Sequence, residues 1–396
     1  MKILFLVHTY PFPPDDGMRS TSYRVIKHIA KRHETALLCE SETPVAEPHI
    51  EEMKKWCKRV EVVAHEPLRS PLARAWNMVF ESTPFCVRQF TSQKFAKKLE
   101  QLISQERYDI VHLLSVNIAG HKSAIGKTPT LFFPHDSVSM QFYRNSTVEP
   151  NWLKKIYLYN QSRKMEKYEK SMIRQFTRTV MVSGIDRDWT LKFMPSANIT
   201  VIAAGVDPEE FKPLDIEDKE PSLLFRGVMN FPPNVDSVLY FNYEILPLIQ
   251  KEFPDVKFYI VGKSPVESVQ KLHNGKNIIV TGRVDDLREY VARATVNICP
   301  MRIGSGIKNK VLEALSMARA VVATPLALDG ISVEHGKHVF AAQGAKDFAQ
   351  MTIDLLKNPQ KRKDLGRAGR ELILSRYGWS AIADRYDQLY KEMAGN

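Results

Sequence analysis

Nowhere in its 396 residues does the chain hold about 18 consecutive apolar side chains, so a membrane-spanning helix is not expected. The opening stretch, MKILFLVHTYPFPP, has one lysine, a short apolar run and no small-residue cleavage site. Ile3–Val7 therefore reads as a buried strand rather than a secretion signal. Cysteine is scarce. Cys39, Cys57, Cys86 and Cys299 are scattered, with neither CxxC nor Cys/His ligand spacing, so buried or incidental thiols in a reducing compartment are expected. HExxH is absent from among the eleven histidines, and GxSxG is absent altogether; metallohydrolase and serine-hydrolase chemistry find no motif. Low-complexity tracts are lacking too.

What is there is the composition of a globular protein, 44% hydrophobic and 26% charged, at a length for which two domains are the natural expectation. Lysine and arginine number 56 against 45 acidic residues, a surplus that favours anionic partners. Part of it is local. From Arg69 to Lys98, basic residues alternate with Trp76, Phe80, Phe85, Phe90 and Phe95. Such a mixture suits an interfacial segment on an anionic inner-membrane surface, and equally a solvated basic face over an ordinary core. No recognition-module signature accompanies the charge, so nucleic acid is not an expected partner.

Strand-like and helix-like stretches alternate. Strands are expected at Lys2–Val7, Thr35–Cys39, Val60–Val63, Ile110–Leu114, Thr130–Phe133, Thr179–Val182 and Ile199–Ile202, with helices clearest at Ser20–Arg32 and Trp152–Gln175. The pattern breaks in the Pro- and acid-rich stretch from Ala203 to Ser222, then resumes. A second series has strands at Ser222–Phe225, Lys257–Val261, Asn277–Thr281, Val296–Cys299 and Ala320–Ala323. Its clearest helices are Val235–Phe253 and Lys310–Met317, and a last helix is expected near Ala381–Met393. The expected fold is α/β with two doubly wound parallel sheets, and ligands lie beyond the carboxyl ends of such strands. The expected division is a domain over 1–204, a linker over 205–221, a domain over 222–376, and a C-terminal helix over 377–396 returning to the first domain.

The most informative stretch is Pro300–Thr324, PMRIGSGIKNKVLEALSMARAVVAT. A strand gives way to a basic glycine loop and then a helix near Val311. Free N–H groups and the dipole at a helix start attract anions. Gly304 and Gly306 let backbone come close to a phosphate, and Arg302, Lys308 and Lys310 would neutralise a diphosphate. Glu313 in the first turn suits the dipole and could accept hydrogen bonds from a ribose. The same residues would also make a plain βα turn with solvated lysines.

This stretch resembles the donor loop of the retaining group 1 glycosyltransferases, which have the GT-B fold. It is especially similar to bacterial exopolysaccharide-associated sugar transferases carrying G-I-x-N-K-V-L-E-A. The resemblance covers nearly the whole chain. Tyr10–Gly17 (YPFPPDDG) looks like the family's Pro-rich glycine loop, which faces the donor diphosphate. Phe225–Asn234 (FRGVMNFPPN), containing Arg226 and Gly227, and Phe258–Gly262 (FYIVG) look like its first C-domain strands and turns. Thr281–Asp286 (TGRVDD), with Arg283 and Val284, looks like the loop that reads the nucleobase.

What the resemblance implies is specific. Two domains should face a central cleft, with the donor held mainly by the second. Glu313 matches the second Glu of the Glu-seven-residues-Glu motif and should bind the ribose. Gly306, Ile307, Lys308 and Lys310 match the phosphate-wrapping residues, and Arg226 stands where a phosphate-facing cation is useful. The first Glu, which contacts the donor sugar, is Ser305 here, and a hydroxyl lacks a carboxylate's charge-assisted bonds. In the family a His in the region of His135 touches the donor sugar; the residue-level alternative is a turn in which Asp136 caps the next helix. No cofactor is implied and no metal: Asp186-Arg187-Asp188 is formally a DxD, but it lies at a helix start, and Asp15-Asp16 and Asp285-Asp286 read as turn residues.

The expected activity is retaining, metal-independent transfer from a nucleotide-diphosphate sugar, UDP favoured, to a saccharide or lipid-linked acceptor of cell-surface glycan synthesis. Catalytic weight is expected on His135, Lys308 and Glu313, in the cytoplasm or at the inner face of the plasma membrane. Two other readings stay open: a nucleotide-sugar epimerase of the same fold, and an inactive membrane-associated scaffold.

Overall fold

Continuous apolar runs such as Ile3–Val7 leave no solvent side, and such strands occur in parallel sheets covered on both faces by helices. The computed structural model describes residues 1–66, 68, 70–216, 220–304 and 306–395, with Pro71 described through its backbone alone. Arg69 at the head of the basic segment, residues 217–219 of the expected linker, and Ser305 lie outside the described residues.

The strands are β1 (Lys2–Val7), β2 (Glu34–Ser41), β3 (Arg59–Ala64), β4 (Ile110–Leu113), β5 (Thr130–Phe132), β6 (Arg178–Met181) and β7 (Ile199–Val201), then β8 (Ser222–Arg226), β9 (Lys257–Val261), β10 (Ile278–Gly282), β11 (Val296–Cys299), β12 (Val321–Ala323) and β13 (Phe340–Ala341). They form a seven-stranded sheet in the order β3-β2-β1-β4-β5-β6-β7 and a six-stranded sheet in the order β10-β9-β8-β11-β12-β13. Every pairing is parallel. The two α/β sheets of the sequence reading are present, each wound around a separate core.

The chain divides into two units. The first holds Met1–Ala203 and the chain from Ile382 onward; the second holds Ala204–Ala381. Leu4, Leu6, Leu38, Leu113, Phe132 and Met181 lie in the core of the first, and Phe225, Phe258, Ile260, Ile298, Val322 and Phe348 in that of the second. The late helix Trp379–Ala394 seals the first core: Tyr386 and Tyr390 are buried, and the Tyr390 hydroxyl lies 2.7 Å from His112 Nδ1.

Differences from expectation have local causes. The helix expected over Val235–Phe253 is interrupted: Pro232–Tyr240 is α-helical, Phe241–Ile245 is a π turn, and Leu246–Gln250 resumes. Pro247 has no N–H and its ring collides with the carbonyl four residues back, so the turn ahead of it widens. Strand β13 is only two residues long, too short to carry a periodic signature. In the basic segment Phe85 and Phe95 are core residues, leaving only Trp76 and Phe80 of its aromatics largely exposed. Among the described residues no helix is long and apolar enough to cross a membrane.

Candidate functional site

In the second unit, β8, β9 and β10 end together. The Gly227 N–H donates to Val261 O (3.0 Å) and the Gly262 N–H to Gly282 O (3.1 Å). Gly262 sits at φ +152°, and a Cβ there would lie 1.7 Å from Gly227 O. Only glycine permits this approach. Beside it, a Cβ on Gly227 would come within 2.5 Å of the Asn234 amide, so the glycine makes room for Asn234. That amide donates to Val228 O (3.0 Å), and its oxygen accepts from Lys310 Nζ (2.7 Å).

Lys310 thus sits over the end of β8, its ammonium 4.2 Å from the centre of the Phe225 ring. Burial, with Arg226 and Lys308 close by, pushes its pKa down to about 8. Arg226 ends β8; burial lowers it to about 10, and its guanidinium pairs with the Glu313 carboxylate while its Nε has no partner. Lys308 is 7% exposed and reaches back to Gly306 O (2.5 Å). All three cations act on the buried Cys299 thiol at the end of β11, which shows how tightly they cluster. Three cations against one carboxylate make this a place for a polyanion.

The loop that brings them in leaves β11 through Gly304 (φ +122°) and Gly306 (φ +70°), both in the region that favours glycine. Lys308 occupies the N-cap of the helix Asn309–Ser316 and makes no side-chain cap hydrogen bond there. The helix begins two residues ahead of the expected Val311, which brings Lys310 into its first turn. Ile307 is half-buried in the same loop.

Not every expected residue joins the cluster. Arg302 makes a two-pronged pair with Asp236 (2.6 and 3.2 Å), approaches Glu244 (3.5 Å) and stacks on Tyr240 (4.2 Å), so its charge is already met on the neighbouring helix. Arg283 is exposed and Val284 half-buried in the turn after β10. Asp286 in that turn caps the helix Leu287–Arg293 through the Arg288 N–H (2.8 Å).

In the first unit His135 follows β5 at φ +70°, buried, its Nε2 3.0 Å from Leu114 O. That contact assigns the proton to Nε2 and leaves Nδ1 an acceptor. Burial lowers its pKa to about 4, so the ring is neutral. The cap of the helix Val138–Val148 is Ser137, not Asp136. Gly17 opens the helix Gly17–Ile29, which Asp16 caps through the N–H groups of Met18 and Arg19; a Cβ on Gly17 would meet nothing within 4 Å. Asp186 of the formal DxD is spent on structure, accepting from the Ser137 N–H (2.8 Å) and the Ser183 hydroxyl.

Three residues that sequence reasoning passed over stand with His135 along the same carboxyl edge. His65 follows β3, Glu40 lies near the end of β2, and His8 follows β1, in the order of the sheet. Glu40 is fully buried, its carboxyl without a hydrogen bond and 3.5 Å from His65 Nδ1; burial raises it to about 8. His65 stacks on Phe90 and His8 meets the same ring edge-on. The available signal was positional: each is a polar residue at the end of an apolar strand.

Known families match both units. The model described as "Glycosyltransferase Family 4" matches residues 16–210, and the one described as "Glycosyl transferases group 1" matches residues 220–358. The chain belongs to the group 1 glycosyltransferases. This glycosyltransferase is 21% identical to an uncharacterized protein in the cps region of Klebsiella pneumoniae, over 99% of both chains. It is 26% identical to the phosphatidyl-myo-inositol mannosyltransferase of Mycobacterium tuberculosis over 55% of this chain and 60% of that one. Among solved structures, Anabaena HepE in complex with UDP and glucose superposes with a TM-score of 0.70 at 15% identity, over 98% of this chain and 99% of that one. The fold is that of the GT-B glycosyltransferases.

Proposed function

We propose that this glycosyltransferase moves a sugar, with retention and without a metal, from a nucleotide-diphosphate donor to a saccharide or lipid-linked acceptor of cell-surface glycan synthesis. The observation that carries this reading is the cluster of Arg226, Lys308 and Lys310 around Glu313 at the carboxyl ends of β8 and β11. Loss of a nucleoside diphosphate concentrates negative charge on the leaving phosphate, and preorganised cations stabilise it most where water is excluded. Glu313 offers an oxygen for ribose hydroxyls beside the ion pair with Arg226. With the leaving phosphate held there, the acceptor hydroxyl attacks from the same face and a phosphate oxygen takes its proton. The phosphate, rather than a side chain, is then the base. His135, neutral with Nδ1 free to accept, suits a donor-sugar hydroxyl. UDP is the favoured nucleotide, a choice supported by the HepE complex. An acceptor carried on a lipid would bring the chain to the inner face of the plasma membrane.

The test is to incubate the purified chain with a panel of UDP- and GDP-sugars and measure free nucleotide. UDP release supports the reading. A new sugar epimer, or no product from any donor, overturns it. Lys308→Ala should lower turnover by about 10²-fold or more; unchanged kinetics would remove the electrostatic role assigned to this lysine.

A further inference from the structure

The helix Pro71–Phe80 is amphipathic in the wrong sense for a globular surface. Leu72, Trp76, Val79 and Phe80 share one face, with spacings of four, three and four residues, which is the pattern that normally faces a core. Here that face is outside: Leu72 is 82% exposed, Val79 69%, Phe80 66% and Trp76 59%. The residue turned inward is Asn77, 1% exposed, whose amide donates to Glu81 (2.8 Å) and Thr83 O (2.8 Å). Lys164 Nζ holds the end of the helix through Asn77 O (2.5 Å) and Met78 O (3.0 Å). Polar bonds fix the helix in place, and its apolar stripe is left over.

The helix those bonds come from repeats the feature. Gln161 of Trp152–Ile173 donates to Asn77 Oδ1 (3.3 Å), and the first two turns of that helix expose Trp152 (67%), Leu153 (59%), Ile156 (49%) and Tyr159 (51%). Eight of the fifteen large exposed apolar side chains among the described residues therefore lie on two neighbouring helices. Beside the first, a hollow of about 440 Å³ is lined by Leu68, Leu72, Trp76 and Phe85, with Arg88 in its wall.

Charge decides the occupant. Arg74 lies on the first helix and Arg88 just beyond it, 3.6 Å from Glu81, and the second helix adds exposed Lys155 and Lys154, the latter paired with Glu149. Apolar side chains with Trp and Leu in front and cations beside them match the interfacial zone of an anionic bilayer, where basic residues near the surface are drawn to the lipid charge.

We propose that these two helix faces form a docking surface for an anionic lipid bilayer, with the stripe Leu72–Trp76–Phe80 entering the acyl boundary. The proposal rests on the reading of a lipid-linked acceptor only for its purpose; bilayer binding itself requires no donor. It is tested by flotation of the full chain with vesicles of phosphatidylcholine alone, or with 30 mol% phosphatidylglycerol, at low and high salt. The expected result is capture by the anionic vesicles alone, reduced by salt, and reduced at least tenfold in the variant Leu72→Ser/Trp76→Ser/Phe80→Ser. Melting temperature and UDP binding of that variant should match the parent, since the three side chains are exposed and none belongs to the Arg226–Glu313 cluster. Equal capture of parent and variant overturns the proposal, as does no capture of the parent. A vesicle-free dimer that the variant abolishes would overturn it too, by assigning the stripe to a second copy of the chain. UDP release, measured without vesicles, reports the transferase reading separately.

Discussion

Lys310 is held with its ammonium under protein and two other cations beside it, and its pKa near 8 is the consequence. Since the folded pKa lies below the unfolded 10.5, the unfolded chain binds more protons between about pH 8 and 10.5, and this lysine's share of stability rises with pH across that window. Nucleotide binding should show the reverse. A diphosphate needs the ammonium charged, so UDP affinity should fall by about tenfold between pH 7 and 9.5, the size of one lost charge-assisted contact. Calorimetric titration at the two pH values checks this. Lys310→Met should bind weakly at both and lose the difference; if the variant keeps the same pH dependence, another group is responsible. Arg226 and Glu313 behave differently, because each already has the other, and a ribose at Glu313 must share the carboxylate with a guanidinium.

At the level of elements, the approach of β8 to β9 governs the site more than any helix does. Gly262 has Gly227 O where its Cβ would be, and Gly227 has Asn234 in the same position. Gly262→Ala should therefore destabilise the second unit by about 3 kcal/mol or more, through backbone strain and overpacking together. Denaturant unfolding measures it, and a loss under 1 kcal/mol would show that the strand ends can separate. Of this region the strands were legible in the sequence, since FYIV is a short apolar run and VNIC one broken only by Asn297, each followed by a turn residue. The basic glycine loop was legible from its glycines and the cations spaced through it. Arg302 stands apart from the cluster: charge beside a glycine loop is visible in a sequence, but its pairing with Asp236 and Glu244, 66 and 58 residues upstream, is not. The break ahead of Pro247 is marked in the sequence by the proline alone, because the apolar periodicity continues across the π turn.

Over the whole molecule, stability should carry the signature of titratable groups kept away from water. Glu40 has its pKa raised to about 8 from 4.5, so the folded state holds its proton longer than the unfolded one. Its contribution is complete below about pH 4.5 and is lost as pH rises through 8. His8 and His135, lowered to about 3 and 4, act in the opposite sense, and their contributions grow as pH rises towards 6.5. Comparing the parent with Glu40→Gln isolates the carboxyl. The variant should gain stability relative to the parent between pH 5 and 8 as measured by urea unfolding, and a constant difference across that range would refute the assignment.

Sequence alone determined the two parallel α/β sheets, all of their strands but the two-residue β13, and the basic glycine loop, because these follow from local periodicity, turn residues and charge within a few positions. Tertiary structure alone decided which cations share the Glu313 cluster, that Glu40 and three histidines line one sheet edge, and that an apolar helix face stays outside. Those outcomes depend on which distant segments pack together, and short-range sequence pattern holds no record of that.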